Sequence, residues 1–461
     1  MVNSEKNTEA VYDAKTLSTA KTRVLGVQHL FAMFGATVLV PAITGLNVST
    51  TLLFAGLGTL LFHLVTGRKV PAFLGSSFAF LGGYAAIAPM LVDANGNATI
   101  PNLEMLPYAC FGVAVAGLVY LALAGLFKIF GAGKVMRFFP PIVTGPIIIC
   151  IGLSLAGSAI NNCRVNWLVA IVAIVVVVVC NIWGRGMVKI VPILLGVVAS
   201  YLFAMVVDPA ARANVAATVA AADWFGIPII WENTAFSIFG EGFDGGLLLT
   251  SVITIAPIAL ATMVEHIGDV CAISSTVGKN FVADPGLHRT LAGDGLATSI
   301  AALFGAPANT TYGENTGVLA LSKVYDPKVV RLAALFAIVL SFCPKFAALI
   351  VAMPAATMGG VSLVLYGMIS AVGVRNVVEN QVDFTKSRNV LIAAMILGLA
   401  VGVSYNGAIV FSVGSVSISL SGLAVAALVG IFMNAVLPGK DYEFGVNEQG
   451  DTSVNFGTRH K

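Results

Sequence analysis

The chain has 461 residues, of which 58% are hydrophobic and only 10% are charged, and its formal net charge is +3. Soluble domains carry about 25% charged residues, so this composition excludes a soluble globular protein and predicts a polytopic membrane protein. The small net charge gives no reason to expect a nucleic-acid partner.

Residues 1–22 are polar and contain no apolar core, so we expect no cleavable signal peptide. Fourteen apolar runs follow, and they predict fourteen membrane-spanning segments, two of them short or irregular. In chain order the runs are 24–44, 50–66, 77–91, 107–128, 140–160, 166–184, 189–207, 246–268, 288–304, 315–322, 329–349, 356–373, 389–405 and 418–437.

The distribution of basic residues supports this layout. With the N-terminus in the cytoplasm, only three of the 25 lysines and arginines fall in external segments, namely Arg164, Arg212 and Lys345. Positive residues concentrate on the cytoplasmic side of membrane proteins. The pattern therefore predicts fourteen crossings with both termini in the cytoplasm.

The third and tenth segments share a pattern. Residues 71–78 and 307–314 each begin at a proline and reach a central residue, Phe78 or Glu314, seven positions later. The fifth and twelfth segments match in the same way, through 140–145 and 354–360. In both matches the partners are seven segments apart, an odd number, so they cross in opposite directions. The chain is therefore expected to be all-α, with a 7+7 inverted repeat whose third and tenth segments are interrupted by short extended stretches.

Such matched interruptions indicate a transporter binding site. Gly75 and Gly313 allow the backbone to leave the helix, and non-helical backbone survives at membrane depth only when it is buried or lines a cavity. Helices that begin near Phe78 and Glu314 would direct unpaired N–H groups into that cavity. A simple kink at each proline is the alternative, but it explains the matched pattern less well.

Three acids lie in or beside the apolar segments. Glu265 and Asp269 are four residues apart and share a helix face, and Glu314 belongs to the tenth segment. A charged residue at the bilayer centre costs about 2.5–3.5 kcal/mol on insertion scales. We therefore predict a substrate and proton site at mid-membrane, where one acid of the pair holds a proton because two close carboxylates do not both ionise cheaply. Solvation of Asp269 at the cytoplasmic mouth is the alternative.

Other polar residues near these segments are assigned supporting roles. His266 lies about 100° from Glu265 around a helix and is expected to pack or to tune the site. His29 could hydrogen-bond within the core or form a plain buried pair with Gln28. Asp294 and His288 are expected to be structural residues near an internal loop.

The hydrogen-bond donors and acceptors of the predicted site indicate which kind of ligand it binds. Carboxylates accept hydrogen bonds and backbone N–H groups donate them, so the site suits a small planar molecule with alternating N–H and C=O edges. Two carboxylates would repel an inorganic anion. Phe78 could stack on the ligand or could be an ordinary core residue.

The chain resembles the nucleobase–ascorbate transporter family, and within it the bacterial uracil permeases, over nearly all of residues 20–440. The stretches that carry the resemblance are 28–37, 74–80, 265–268, 284–289 and 309–315. The resemblance implies proton-coupled uracil import, with H+ as the coupling ion, no other cofactor and a location in the plasma membrane. It also implies alternating access of a core domain against a gate domain and a homodimer formed through the gate.

The same resemblance implies domain boundaries. The core domain would comprise 24–138 and 246–349, and the gate domain 139–245, which includes an external loop, and 350–437. Cytoplasmic tails would occupy 1–23 and 438–461.

Site residues follow from the resemblance by position. Those implied to bind substrate, through side chains, backbone or pocket walls, are Glu265, Glu314, Phe78, Gly313, Tyr312 and Ala36. Those implied to couple the proton are Asp269, Glu265 and Tyr366, the last of which would close on the site from the gate domain. Some uracil-transporting members have histidine in place of Asp269, a change that keeps a titratable group and leaves the preferred base open.

Three alternatives remain. A xanthine or uric acid carrier belongs to the same class. An anion transporter or channel of the same architecture would be favoured by a basic residue near the third and tenth segments, but none occurs between Lys69 and Lys128 or between Arg289 and Lys323. An enzyme is not expected, because no nucleophile–base pair or metal-ligand spacing appears and the histidines and cysteines form no recognised motif.

Overall fold

The computed structural model describes residues 10–92, 98–240, 242–407, 409–413, 416–440 and 442, without the side chains of 92, 98–99, 314, 411–413 and 416–419. Residues 1–9 and 443–461 of the predicted tails therefore lie outside the described residues.

Most of the described chain is helical. The helices of the first half are α1 Thr19–Thr44, α2 Val48–Val65, α3 Leu81–Ile87, α4 Leu106–Phe130, α5 Ala132–Met136, α6 Pro141–Val165, α7 Trp167–Trp183, α8 Met187–Ile190, α9 Pro192–Val207 and α10 Pro209–Ala221. Those of the second half are α11 Gly245–Ile255, α12 Ile258–Val277, α13 Leu287–Leu303, α14 Glu314–Ser322, α15 Pro327–Ser341, α16 Pro344–Val351, α17 Ala355–Glu379, α18 Ser387–Asn406 and α19 Gly422–Val436.

The described residues contain six short strands, which form three antiparallel pairs. They are β1 Leu74–Ser76 with β4 Asn309–Thr311, β2 Leu91–Val92 with β3 Ala98–Ile100, and β5 Ile409–Val413 with β6 Val416–Leu420. Only the first pair joins the two halves of the chain, and it occupies the predicted interruptions.

The helices pack as an inverted repeat requires. Contacts between α4 and α13 are mirrored by contacts between α15 and α2, which are the corresponding segments of the opposite halves. Contacts between α7 and α9 are mirrored by contacts between α18 and α19, and α6 packs on its own counterpart α17. The all-helical inverted-repeat fold is thus confirmed.

Length and composition support several membrane crossings. Among the described residues, 7 helices are long and apolar enough to span, or up to 9 if each sharply bent pair is one span. The bent pairs are α9 with α10, at 112°, and α15 with α16, at 87°. Every predicted run contains a helix, but the count of fourteen crossings stays a prediction.

Some boundaries differ from the predicted runs, for local reasons. The last run was predicted to begin at 418, but 416–420 forms β6 and α19 begins at Gly422. The alternating sequence Val-Ser-Ile-Ser-Leu of that stretch favours a strand. The run 246–268 divides into α11 and α12 at Pro257, where a proline interrupts helical hydrogen bonding.

Candidate functional site

The two interruptions meet as one antiparallel strand pair. Leu74 lies opposite Thr311, Gly75 opposite Thr310 and Ser76 opposite Asn309. The Ser77 amide donates to the Ala308 carbonyl at 3.0 Å and extends the pairing. Hydrogen bonds between the strands thus satisfy backbone groups that would be costly to leave unpaired inside a membrane.

A threonine on a neighbouring helix holds the first residue of each strand. Thr59 of α2 accepts from the Leu74 amide at 2.9 Å and donates to the Leu74 carbonyl at 3.3 Å. Thr298 of α13 accepts from the Asn309 amide at 3.3 Å and donates to the Asn309 carbonyl at 3.0 Å. Because α2 and α13 are corresponding segments, the same pair of threonine hydrogen bonds supports the strand in both repeats.

Tyr312 closes one side of the strand pair. Its hydroxyl donates to the Ser76 carbonyl at 2.7 Å and accepts from Thr37 of α1 at 3.2 Å. A Cβ atom on Gly75 would lie 2.6 Å from the Thr37 hydroxyl and 2.7 Å from the Tyr312 ring. Only glycine therefore fits at this position.

Helical backbone begins directly after each strand, as predicted. A 3₁₀ turn covers Phe78–Phe80 and leads into α3, and α14 begins at Glu314. Neither Ser77 nor Gly313, the residues before these starts, makes a side-chain capping bond in the described structure. A ligand would therefore meet no competing side-chain cap at either helix start.

The acid-bearing face of α12 lies beside the start of α14. The Thr311 hydroxyl donates to Oδ2 of Asp269 at 3.3 Å, and a Cβ atom on Gly313 would lie 3.1 Å from Oδ1 of Asp269. Asp269 is half-buried and Glu265, one turn earlier, is exposed. The backbone of Glu314 is described as the first residue of α14, but its side chain lies outside the described part of the structure.

The apolar candidates also lie together. Ala36, Phe78, Tyr312 and Tyr366 belong to one buried cluster. The rings of Phe78 and Tyr366 meet edge to face, with centroids 6.2 Å apart and planes at 77°. Tyr366 belongs to α17, so a second group of helices contributes to this wall.

Two buried pairs beside the strands were not predicted. Nδ1 of His266 lies 3.2 Å from Oδ2 of Asp294 and 3.1 Å from the Thr311 hydroxyl. The amide of Asn315 donates to both Nδ1 and the carbonyl of His29, each at 3.1 Å. Asp294 lies well inside α13, not near a loop, so its expected position was wrong. The available signal was a lone acid within the apolar run 288–304.

A cavity of about 390 Å³ opens next to the site. It lies between α1, the α8–α9 region, α14 and α17, and its lining includes Gly35, Lys189, Gly313 and Met368. Gly313 therefore belongs both to the strand-helix junction and to the wall of this cavity. None of the groups of acids, histidines and cysteines in the described residues has an arrangement that could hold a metal ion.

Comparison with known proteins identifies the family of this chain. Residues 20–409 match a family model, Xan_ur_permease, described as "Permease family". The chain is 41% identical to the uracil permease of Bacillus caldolyticus over 90% of its length and 92% of that protein. It is 37% identical to the uracil permease of Escherichia coli strain K12 over 90% of its length and 91% of that protein.

Solved structures share the fold at low sequence identity. The transmembrane domain of the cyanobacterial bicarbonate transporter BicA aligns with a TM-score of 0.55 and 13% identity, covering 92% of this chain and 99% of that one. SLC26A9 aligns with a TM-score of 0.60 and 13% identity, covering 92% of this chain and 66% of that one. At this identity the likeness establishes the architecture alone.

Proposed function

Because the chain belongs to the xanthine and uracil permease family, the nucleobase–ascorbate transporters, and is a multi-pass membrane protein, we propose that it imports uracil together with a proton. The relatives that it matches over about nine-tenths of its length are named as uracil permeases. The proposal places the protein in the plasma membrane, with both termini in the cytoplasm.

The observation that supports the proposal best is the contact between α12 and the start of α14. Asp269 lies against both Thr311 and Gly313, so the helix face with the acids adjoins the helix start after β4. This junction combines acceptors with donors at short range, which suits the N–H and C=O edge of uracil.

Each substrate contact has a proposed role. The carboxylates of Glu265 and Glu314 accept from the two N–H groups of the base. The amides at Phe78, Gly313 and Glu314 donate to its carbonyl oxygens, and the Phe78 ring stacks on its face. Ala36 and Tyr312 line the pocket. No cofactor other than the coupling ion is required.

Proton coupling is assigned to Glu265, Asp269 and Tyr366. Glu265 and Asp269 share a face of α12, so a proton on one reduces the repulsion between them. With the proton present, Glu265 binds substrate at a lower electrostatic cost. Tyr366 belongs to the proposed gate domain, and its ring contacts the ring of Phe78 in the core domain. Movement of the gate would therefore change the surroundings of both rings.

Alternating access would move a core domain, 24–138 and 246–349, against a gate domain, 139–245 and 350–437. The cavity beside Gly313 supports this division, because its walls come from α1 and α14 on one side and from α8, α9 and α17 on the other. A homodimer through the gate would hold that domain still while the core moves.

Uptake of radiolabelled uracil into cells tests the proposal. Uptake should collapse with a protonophore and in Glu265→Gln and Glu314→Gln, because neither amide carries the proton or the negative charge. Glu379→Gln is the control, since Glu379 is exposed and pairs with Arg375 on the same helix at 3.5 Å. Wild-type rates in both site variants would contradict the site assignment, and uptake insensitive to the protonophore would contradict the coupling.

Competition distinguishes the alternative substrates. Unlabelled uracil should suppress labelled uptake more strongly than xanthine or uric acid. The reverse order would identify a purine carrier. Uptake of labelled bicarbonate or chloride, with no uptake of labelled uracil, would identify an anion transporter of the same architecture.

A further inference from the structure

A second cavity, of about 530 Å³, lies where the ends of four helices meet, and its described lining does not include the acids of the site. These are the starts of α6 and α18 and the ends of α17 and α19. Its polar lining includes Arg137, Asp383, Lys386, Arg388, Asn434 and Lys440. Nothing in the proposed transport mechanism uses this pocket.

The pocket is strongly basic. Among the described residues that line it, four carry a positive charge and only Asp383 carries a negative one. The Asp383 carboxylate accepts from the hydroxyl of Thr385 at 2.6 Å and from its amide at 2.8 Å. These bonds, the hydroxyl first, lower the pKa of Asp383. An excess of positive charge therefore remains for a ligand.

Hydrogen bonds between different helices fix the pocket walls. Nη2 of Arg388 donates to Oδ1 of Asn434 at 2.6 Å, and the Asn434 amide donates to the Arg137 carbonyl at 3.0 Å. The amide of Asn389 donates to the Asp383 carbonyl at 2.9 Å. The start of α18, the end of α19 and the connection between α5 and α6 are thus held together before any ligand arrives.

Two long helices present their N-terminal ends to the pocket. Pro140 and Pro141 line it at the start of α6, and Lys386 and Arg388 line it at the start of α18. The start of α6 is a pair of prolines, which have no N–H group to donate. The start of α18 has no side-chain cap in the described structure. Free amides at a helix start attract phosphate groups, and arginine recognises phosphate oxygens with high geometric specificity.

Exposed apolar side chains lie close in sequence to residues of the pocket. Phe138 is 50% exposed, Phe384 is 43% exposed and Val436 is 63% exposed, and each is close in sequence to pocket residues. In a membrane protein such side chains face lipid, and aromatic rings favour the headgroup level. We therefore place the pocket at the boundary between lipid and water, where basic pockets between helices bind anionic headgroups.

We propose that this pocket binds a phosphate group, supplied by the headgroup of an anionic membrane phospholipid. The four basic residues surround the phosphate, and the acyl chains lie along the exposed apolar side chains. The bound lipid fastens the ends of α6, α18 and α19 and stabilises that group of helices during transport.

Native mass spectrometry of the purified full-length protein tests the proposal. The wild type, mixed with equal amounts of phosphatidylglycerol and phosphatidylcholine, should retain phosphatidylglycerol preferentially. Lys386→Gln and Lys440→Gln should each reduce that preference about fivefold, since one basic residue near an anionic surface contributes about that much. Both lysines are exposed, so these variants should fold. Arg388 is left unchanged because it holds Asn434.

Lys134→Gln is the matched control, because Lys134 is an exposed basic residue on α5 outside the pocket. An equal loss of preference in this variant would overturn the site, and so would a wild type that retains both lipids equally. Millimolar inorganic phosphate should leave the lipid in place. Its displacement by inorganic phosphate would overturn the lipid as the source and assign the pocket to a soluble phosphate.

Discussion

Oδ2 of Asp294 lies 3.2 Å from Nδ1 of His266, and neither side chain has any exposed surface. The same nitrogen lies 3.1 Å from the Thr311 hydroxyl, which donates to Asp269 at 3.3 Å. A continuous line of polar groups therefore joins α13 through β4 to the acid face of α12. This line links the buried interior behind the strands to the proposed substrate junction.

Asp294→Ala should destabilise the protein strongly. Removing the carboxylate leaves His266 without its buried polar neighbour, and an unsatisfied buried polar group costs about 1–3 kcal/mol. Asp294→Asn keeps the shape and one acceptor oxygen, so it should lose much less. Thermal unfolding in detergent measures both variants, with Glu379→Ala as the exposed control. Equal melting temperatures for Asp294→Ala and the control would show that the pair contributes nothing.

Gly75→Ala should disrupt the strand pair. The added carbon would lie 2.6 Å from the Thr37 hydroxyl and 2.7 Å from the Tyr312 ring. Both groups are held by hydrogen bonds, so relief requires moving the pair at a cost of about 1–3 kcal/mol. Uracil uptake should fall with stability. Gly82→Ala is the control, because an added carbon there meets nothing within 4 Å, and it should retain both uracil uptake and stability. An equal loss of uptake and stability in Gly82→Ala would contradict the steric explanation.

Thr59→Val and Thr298→Val should cost similar amounts of stability. Each change removes a hydroxyl that serves both a buried amide and a buried carbonyl of its strand. An unsatisfied buried group costs about 1–3 kcal/mol. Thr66→Val is the control, because the Thr66 hydroxyl bonds only within its own helix turn, to Phe62 and His63. Unfolding midpoints unchanged in both test variants would refute the anchoring role.

Asn315→Ala should weaken substrate binding more than it weakens folding. Asn315 ties the first turn of α14 to the carbonyl and ring of His29 on α1. Without this tie, the amides at Gly313 and Glu314 lose their fixed direction, and we expect KM for uracil to rise about tenfold, equivalent to about 1.4 kcal/mol. Thr316→Val is the neighbouring control, since the Thr316 hydroxyl has no partner among the described residues. An unchanged KM in Asn315→Ala would rule out this positioning role.

The amino-acid sequence alone determined the class of protein, the inverted repeat and the position of the two interruptions. A segment that crosses a membrane must be apolar and long enough to span it, and proline and glycine mark where a helix stops. These features can therefore be predicted from local chemistry. The helix starts at Phe78 and Glu314 were predicted from the sequence for this reason, and the structure confirms them.

Only the tertiary structure decided which polar side chains meet. His29 and Asn315 are 286 residues apart in the chain, and Thr59 and Thr298 hold their strands from different halves. Such pairings depend on the rotation of each helix about its axis and on its depth against its neighbours, and packing across the whole protein sets both. For the same reason the sequence did not reveal that Asp294 is buried against His266, because a helical period gives the face of a residue but not the partner that faces it.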